Sequence, residues 1–216
     1  MIIAVIPAYN EEKHIGDVIK KTKKFVDRVI VVDDCSSDKT FEIAKVSADI
    51  VIKNPINMGK GFSLRTGIEE AMKEKAKIIV MLDADGQHDP SEIPKLVAVL
   101  KEREMVVGKR EFGSKMPIGS RVANIFFSSL FRILFNFDAG DILSGFRAIR
   151  AGSYRKIMWK SNRYAVETEM LAKAAKNKLS YAAVPIKTIY HEVYKGTSVI
   201  DAIKIFFYLL WFRIAI

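Results

Sequence analysis

Short apolar runs alternate with longer amphipathic stretches along the first half of the chain. The β-branched and apolar runs predict buried strands at 2–6, 28–32, 49–53, 77–82 and 105–109. The amphipathic stretches predict helices at 11–25, 38–47, 60–75 and 91–103. Asp38 and Ser91 are the expected N-caps of the second and fourth helices. This alternation predicts an α/β fold, with a Rossmann-like, mostly parallel central sheet flanked by helices.

Clusters of polar residues follow three of the predicted strands. In chain order they are PAYNE at 7–11, DDCSSD at 33–38 and DADGQHD at 83–89. Ligands of such sheets bind outside the carboxyl ends of the strands, so these clusters are expected to meet at one site. Asp33, Asp34, Asp83 and Asp85 are more carboxylates than helix caps require. Crowded carboxylates repel one another unless a cation lies among them, which predicts a divalent metal or a cationic ligand.

Several classes of protein are disfavoured. No GxGxxG follows the first strand and no GxxxxGKS/T occurs, which argues against a dinucleotide-binding domain and a P-loop. The glycine-rich, basic segment NMGKGFSLRTG at 57–67 lacks that spacing. The single cysteine, Cys35, excludes an internal disulfide and fits a reducing compartment. The apolar run after Met1 is too short for a signal peptide, so we expect none.

Positive charge is concentrated in the second half of the chain. Residues 1–100 carry 15 Lys and Arg against 16 Asp and Glu, whereas residues 101–216 carry 20 against 9. A one-sided basic surface indicates a polyanionic partner: nucleic acid, an anionic membrane or a phosphorylated ligand. A nucleic-acid-binding module would leave the acidic strand ends unexplained, because they repel a polyanion. We therefore predict no nucleic-acid partner.

Two stretches of the second half have the pattern of interfacial membrane helices. The segment IFFSSLFRILFNF at 125–137 is predicted to present one apolar face, formed by Phe126, Leu130, Phe131 and Leu134. The aromatic-rich tail at 199–216 has eight apolar residues between Lys204 and Arg213. That is far short of the roughly 20 residues that a spanning helix needs. Helices that lie in the membrane surface are the prediction; a buried core helix or a homodimer seam is the alternative.

Taken in order, these motifs resemble a known family. PAYNE, VDDCSSDKT, NMGKG and LDADGQ resemble family 2 glycosyltransferases of the GT-A fold. DILSGFRAIR at 141–150, YAVETEML at 164–171 and VPIKTIY at 184–190 resemble the branch that glycosylates polyprenyl phosphates, such as dolichyl-phosphate mannose and glucose synthases. The resemblance implies a GT-A domain at 1–198, with a nucleotide-sugar half at 1–104 and an acceptor half at 105–198. A membrane-associating amphipathic helix follows at 199–216.

The resemblance also implies the reaction. It is an inverting transfer of a hexose from a nucleotide-diphosphate sugar, of the GDP-mannose or UDP-glucose type, to a polyprenyl or dolichyl phosphate. The expected location is the cytoplasmic face of the cell membrane, as a peripheral protein. The alternatives are the same chemistry on a polysaccharide or soluble acceptor, and a sugar nucleotidyltransferase. The second usually carries a glycine-rich signature after its first strand, where this chain has PAYNE.

The donor site implied by the resemblance depends on Mg²⁺ or Mn²⁺. Asp85 is the principal metal ligand, with Asp83 and Gln87 as further ligands. Residues i and i+2 of an extended segment share a face, so Asp83 and Asp85 can both turn toward one ligand. The implied nucleotide-sugar-binding residues are Pro7, Ala8, Tyr9, Glu11, Asp33, Asp34, Lys60, Asp83, Ala84 and Lys195. A solvated lysine is the alternative for Lys60, and His88 is expected to be a supporting or loop residue.

The acceptor site implied by the resemblance contains arginines. Arg110 and Arg121 correspond to the pair that grips the lipid phosphate, which suits the fork of a guanidinium. Arg147 is a third candidate, with pairing to a carboxylate as its alternative. Asp141 corresponds to the aspartate beside the reacting centre and, with Asp85, is the predicted catalytic residue. Asp141 either orients the acceptor or removes its last proton; a turn aspartate is the alternative.

Overall fold

The computed structural model describes residues 1–111, 118–163, 165–189 and 199–215. The strands are β1 Ile2–Ala8, β2 Arg28–Asp33, β3 Ile50–Lys53, β4 Ile78–Met81, β5 Met105–Arg110, β6 Arg147–Arg150 and β7 Tyr181–Ile186. The helices are α1 Ile15–Thr22, α2 Thr40–Ser47, α3 Lys60–Lys73, α4 Ile93–Val99, α5 Ile118–Phe135, α6 Tyr154–Ile157, α7 Val166–Lys176 and α8 Val199–Ala215. Short 3₁₀ turns precede α4 and α6.

The described strands form one seven-stranded sheet in the order β3-β2-β1-β4-β6-β5-β7. Only β6 runs antiparallel to its neighbours, β4 and β5. One face of the sheet packs against α3, α5, α7 and α8, and the other against α1, α2 and α4. The predicted α/β class, with a mostly parallel sheet between helices, is therefore confirmed.

The alternation of side chains along β1 explains how both faces are filled. Ile3 and Val5 belong to the core beneath α3, whereas Ala4 and Ile6 belong to the core beneath α1. Successive residues of a strand point to opposite faces, so a strand covered on both sides must be apolar throughout. All four of these residues are fully buried.

The register of the strands brings the polar clusters together. Ala8, the last residue of β1, pairs with Asp33, the last residue of β2. The neighbouring strand β4 ends at Met81, so Asp83 and Asp85 follow at the same edge. Because β6 is antiparallel, the segment that precedes it also arrives there, and Arg147 pairs with Met81. The predicted convergence of the clusters is confirmed.

Neither Asp38 nor Ser91 stands at the N-cap position of its helix, which is Lys39 for α2 and Glu92 for α4. Asp38 Oδ1 accepts from the main-chain N–H of Thr40 at 2.9 Å, at the start of α2. Ser91 does not cap the fourth helix; instead, Asp89 Oδ1 accepts from Ser91 N at 3.0 Å. Pro90 has no N–H and takes the first helical position, so the capping role falls to the residue before it.

Helix α5 buries part of the face that was predicted to meet the membrane. Phe131 is fully buried in the core, where its ring stacks on Phe135 with centroids 4.5 Å apart. The prediction of a lipid-facing Phe131 is therefore wrong, because this helix is apolar on both sides and its inner side packs on the sheet. The exposed apolar residues of α5 are Ile118, Val122, Ile125, Phe126 and Ile133.

Helix α8 is two-sided in the same way. Its inner side, formed by Ile205, Leu209 and Phe212, is buried. Its exposed apolar residues are Ile203, Phe207, Tyr208, Trp211 and Ile214. Helices α5 and α8 contact each other and pack on the same face of the sheet. Within the described part of the chain, no helix combines the length and the hydropathy needed to cross a bilayer.

The carboxylate of Glu104 ties β5 to β7 and α6. It accepts from Lys156 Nζ at 2.8 Å, Ser180 N at 3.1 Å and Ser153 Oγ at 3.0 Å. These hydrogen bonds, led by that from Lys156, lower the pKa of Glu104 from 4.5 to about 2. A depressed folded-state pKa gives stability that is present above the unfolded value and is lost as the pH falls through the folded value.

Glu104→Gln should therefore lower the free energy of unfolding at about pH 7, and its deficit relative to wild type should shrink between about pH 4.5 and pH 2. Chemical denaturation at a series of pH values measures this. Glu102→Gln, which changes an exposed neighbour, is the matched control and should show no such trend. If the loss in the free energy of unfolding did not change with pH, the lowered pKa of Glu104 would be contradicted.

Candidate functional site

A cavity of about 520 Å³ lies at the carboxyl ends of β1, β2 and β4. Eleven of the residues predicted for the site line it: Pro7, Ala8, Tyr9, Glu11, Asp34, Lys60, Asp83, Ala84, Asp85, Gln87 and Arg110. The cavity thus unites groups that come from all three polar clusters. Such an opening at the strand ends is where a sheet of this type binds a ligand.

Five other predicted residues lie off the cavity or outside the described chain, and one of them, Arg147, is described below. Asp33 is fully buried and does not line the cavity; its Oδ2 accepts from Ser36 N at 3.2 Å. It therefore shapes the turn after β2. Arg121 lies on the exposed side of α5, beyond the cavity wall. Lys195 lies outside the described residues. Asp141 is buried behind Arg110.

Lys60 is the central charge of the cavity. Its ammonium lies 2.6 Å from Asp83 Oδ1 and 2.6 Å from Glu167 Oε1. Burial by itself would lower the pKa of Lys60, but the two carboxylates raise it well above its usual value. Burial would likewise raise the pKa of Asp83, and Lys60 is the first of the charges that lower it instead. Lys60 and Asp83 are therefore held in their charged forms, and the solvated-lysine alternative for Lys60 does not fit.

The start of α3 is shaped to place Lys60 there. Gly59 has a φ of +92°, and a Cβ on it would meet Asn162 O at 2.5 Å. A Cβ on Gly61 would meet Ser161 O at 2.2 Å. Trp159 Nε1 donates to Gly61 O at 2.8 Å. The two glycines that flank Lys60 are thus needed because the segment after α6 packs directly on their backbone.

Asp34 fixes the same segment from the other side. Its Oδ2 accepts from Gly59 N at 2.7 Å, and its Oδ1 accepts from Met58 N at 2.9 Å and Asn54 Nδ2 at 2.7 Å. The carboxylate lines the cavity while it holds the loop that leads into α3. Cys35, next to it, has a φ of +63°, a conformation that glycine adopts most readily.

Asp141 holds Arg110 by a bidentate ion pair. Arg110 Nε donates to Asp141 Oδ2 at 2.7 Å and Nη2 donates to Oδ1 at 3.1 Å. Asn124, on α5, donates to Asp141 Oδ1 at 2.6 Å. Burial would raise the pKa of Asp141, but Arg110 lowers it below its usual value. An anionic carboxylate with these three donors orients Arg110 toward the cavity and is poorly suited to accept a proton.

Arg147 is buried and does not line the cavity, so it cannot make the predicted contact with an acceptor phosphate there. It is 1% exposed. Its Nε donates to Ser144 O at 2.9 Å, its Nη1 to Glu167 O at 2.7 Å and its Nη2 to Ile142 O at 3.0 Å. A buried guanidinium needs all of these acceptors, so Arg147 fastens the segment before β6 to the start of α7.

The acidic loop after β4 offers oxygen ligands at the cavity wall. Asp85 Oδ1 accepts from Gln87 N at 2.9 Å across a turn in which Gly86 has a φ of +73°. His88 Nδ1 accepts from Asp83 N at 3.2 Å, and its ring stacks on Phe146. Burial lowers the pKa of His88, which keeps the imidazole neutral as this hydrogen bond requires. The predicted supporting position of His88 agrees with this arrangement.

No cluster of three His, Cys, Asp or Glu side chains suited to a metal occurs in the described part of the chain. Asp83 and Asp85 nevertheless both line the cavity, with Gln87 beside them. Two carboxylates are the usual protein share of an Mg²⁺ site whose other ligands are phosphate oxygens and water. These residues therefore fit a divalent cation that is bound together with a phosphorylated ligand.

Sequence reasoning did not assign several residues that line the cavity: Asn57, Gly59, Ser63, Ser144, Gly145, Arg163, Glu167 and Thr188. For Glu167 the sequence contains one indication of a role, because two glutamates stand close together in VETEM. Its partner, Lys60, is more than a hundred residues away in sequence, which no local pattern reveals. Glu169 instead accepts from Lys160 N and Ser161 N, each at 2.9 Å, and holds the segment that packs on α3.

Comparison with known proteins identifies relatives of the whole chain. Residues 3–158 match the family model "Glycosyl transferase family 2". The chain is 35% identical to the UDP-N-acetylglucosamine–dolichyl-phosphate N-acetylglucosaminyltransferase of Methanococcus voltae, over 99% of this chain and 96% of that protein. It is 27% identical to the undecaprenyl-phosphate mannosyltransferase of Micrococcus luteus, over 89% of this chain and 85% of that protein.

A solved structure with the same fold is glucosyl-3-phosphoglycerate synthase from Mycobacterium tuberculosis, in complex with Mn²⁺, UDP and glucosyl-3-phosphoglycerate. It superposes with a TM-score of 0.79 at 23% identity, over 100% of this chain and 80% of that one. At this identity the likeness establishes the fold. It agrees with the GT-A fold that the sequence motifs predict.

Gly145 should be intolerant of a side chain. A Cβ there would meet Asp83 Oδ2 at 2.6 Å and Lys60 Nζ at 2.9 Å. Both groups would have to shift and would disturb the ion pair between them, so Gly145→Ala should lower the free energy of unfolding by about 1–3 kcal/mol, as overpacking does. Gly152→Ala is the matched control, because nothing lies within 4 Å of its Cβ position. Equal effects of the two substitutions in denaturant titrations would contradict this packing.

Proposed function

Since the chain belongs to glycosyltransferase family 2, in the branch of the polyprenyl-phosphate sugar transferases, we propose that it transfers a hexose from a nucleotide-diphosphate sugar to a polyprenyl phosphate. The transfer inverts the anomeric centre and takes place at the cytoplasmic face of the cell membrane, where the protein is peripheral. The observation that carries this proposal is that α5 and α8 each have an exposed apolar face and also reach the site. Asn124 of α5 binds Asp141, and Ile205 of α8 lines the cavity.

The donor half of the proposal rests on the strand-end carboxylates. Asp85, with Asp83 and Gln87, would hold Mg²⁺ or Mn²⁺. When bound, this cation supplies charge neutralisation for the leaving diphosphate. Pro7, Ala8 and Tyr9 form the wall beside the nucleoside, while Glu11 and Asp34 accept its N–H and O–H groups. The M. tuberculosis structure, which contains Mn²⁺ and UDP, supports this type of donor.

The acceptor half rests on Arg110 and Arg121. Arg110 faces the cavity from its ion pair with Asp141, and Arg121 lies one helical turn before Asn124 on α5. The two guanidinium groups bind the lipid phosphate, and Asp141 positions Arg110 through the bidentate pair. A phosphate oxygen is already anionic near neutral pH, so it attacks the anomeric carbon without a general base. The nucleotide diphosphate leaves from the opposite side, which gives inversion.

The membrane half rests on the exposed faces of α5 and α8. Phe207, Tyr208 and Trp211 present aromatic rings on the outer side of α8, and Lys204 and Arg213 are exposed near them. Aromatic residues suit the headgroup depth of a bilayer, and basic residues are attracted by anionic lipids. A protein that lies on the membrane through these faces meets its lipid acceptor there.

A transfer assay with a short prenyl phosphate tests the reaction and the acceptor site together. Arg121→Ala should leave the affinity for the nucleotide sugar nearly unchanged and raise the acceptor KM about ten- to a hundredfold, because a charge-assisted hydrogen bond is lost. Arg132→Ala, also exposed on α5, is the matched control and should have little effect. If the affinities for the nucleotide sugar and for the acceptor fell equally, Arg121 would be assigned to the diphosphate and not to the lipid phosphate. Transfer to a soluble acceptor alone would contradict the lipid assignment.

The membrane contact has its own test. Wild-type protein should sediment with anionic liposomes, and salt should weaken this only partly, because the basic residues contribute about 1 kcal/mol each and are screened, whereas apolar burial is not. Phe207→Ser combined with Trp211→Ser should release the protein at salt concentrations that the wild type withstands, without slowing transfer to a water-soluble prenyl phosphate. Val46→Ser, which changes an exposed apolar residue on α2, is the control. The double variant could instead stay bound to the liposomes while its oligomer dissociates or its fold is lost. In that case α8 is a packing element, as in the homodimer alternative.

A further inference from the structure

Lys60 is shared between the two halves of the chain. Its ammonium bonds to Asp83, from the loop after β4, and to Glu167, from the first turn of α7, both at 2.6 Å. Glu167 lines the cavity and is 7% exposed. One ammonium therefore serves two carboxylates, and one of these, Asp83, is also a proposed ligand of the divalent cation.

A divalent cation at Asp83 would compete with Lys60 for the same carboxylate. The cation and the ammonium would lie within a few ångströms of one another, and like charges at that separation in a largely buried site repel strongly. This repulsion favours a shift of Lys60 away from Asp83. Its flexible four-carbon stem allows this, and Glu167 is the anion to which it is already bonded.

Glu167 is itself firmly placed. Its main-chain carbonyl accepts from the buried Arg147 Nη1 at 2.7 Å. On the other side of the ion pair, the Cα of Gly145 leaves just enough room for Lys60 and Asp83, because a Cβ would come within 2.9 Å and 2.6 Å of them. The main chain of Glu167 is thus held in place, which keeps its carboxylate within reach of Lys60. The long stem of Lys60 makes it the member of the cluster that can shift.

We propose that Glu167 is a positioning residue for cation binding, which retains Lys60 when a divalent cation takes Asp83. Before the donor arrives, Lys60 neutralises both carboxylates. When the cation and the diphosphate enter, Lys60 stays with Glu167 at the edge of the site and faces the diphosphate. This inference rests on the proposed function, because it takes Asp83 as a ligand of the cation that accompanies the nucleotide.

The test is Mn²⁺ binding, followed by the electron paramagnetic resonance signal of free Mn²⁺, with and without UDP. Glu167→Gln should weaken Mn²⁺ binding about five- to tenfold, at the low end of typical coupling between sites, since Lys60 then has only Asp83 as an anion. Lys60→Gln should strengthen Mn²⁺ binding in the absence of UDP. In the Lys60→Gln background, Glu167→Gln should have no further effect, because its action passes through Lys60.

Two controls accompany these variants. Glu69→Gln removes an exposed carboxylate from the same helix as Lys60 and should leave Mn²⁺ binding unchanged. Lys60→Met provides a second background if Lys60→Gln does not fold, and the unfolding midpoint of each variant reports its integrity.

The possible outcomes are distinct. Equal weakening by Glu167→Gln in both backgrounds would mean that Glu167 acts on the cation directly, and it would overturn the proposal. So would unchanged Mn²⁺ binding with an altered choice of donor sugar, which would make Glu167 a sugar-reading residue. A wild-type protein that binds no Mn²⁺, even with UDP, would overturn both this inference and the proposed metal site. If the variants change Mn²⁺ binding as predicted but the protein does not transfer sugar to prenyl phosphate, only the proposed acceptor would be overturned.

Discussion

The neutralisation of the carboxylates at the sheet edge is the constraint on which the site depends. The parallel strands deliver Asp34 and Asp83 to one edge, and α7 adds Glu167. Largely buried carboxylates are costly unless they are paired and hydrogen-bonded. Asp34 is satisfied by backbone N–H groups, whereas Asp83 and Glu167 share Lys60. Asp85, whose Oδ1 accepts from a backbone N–H, lies at the wall of the cavity, where we propose that it binds a cation that arrives with the ligand.

The same pairing joins the two halves of the chain. Lys60 belongs to the half that resembles a nucleotide-sugar site, and Glu167 to the half that carries the basic excess. Arg147 fastens the main chain of Glu167 to the segment that begins with Asp141, and Asp141 orients Arg110 into the cavity. The groups that we propose for donor and acceptor are thus linked by ion pairs and by hydrogen bonds to the main chain. Helices α5 and α8 also reach this region, through Asn124 and Ile205.

Much of this arrangement could be predicted from the sequence, for physical reasons. Buried parallel strands are continuous apolar runs, so the apolar pattern alone predicts β1 to β5. Polar clusters follow the strand ends and, together with the family resemblance, they identify about half of the residues that line the cavity. Other features depended on contacts distant in sequence. Arg147 looked like a phosphate ligand until its guanidinium was found among main-chain carbonyls. Phe131 looked lipid-facing because α5 is apolar on both sides, and a pattern cannot say which side meets the sheet. Glu167 required knowledge of where Lys60 lies.

The most direct test of the account is the thermal unfolding midpoint in the presence of nucleotide-diphosphate sugars, with and without Mn²⁺. A ligand that binds only the native state must raise this midpoint. The described residues offer the cation two carboxylates and no complete cluster, so the account predicts that cation and nucleotide sugar together raise the midpoint more than the sum of their separate effects. An equal rise with the nucleotide sugar alone, or no rise with any GDP- or UDP-linked sugar plus Mn²⁺, would contradict it.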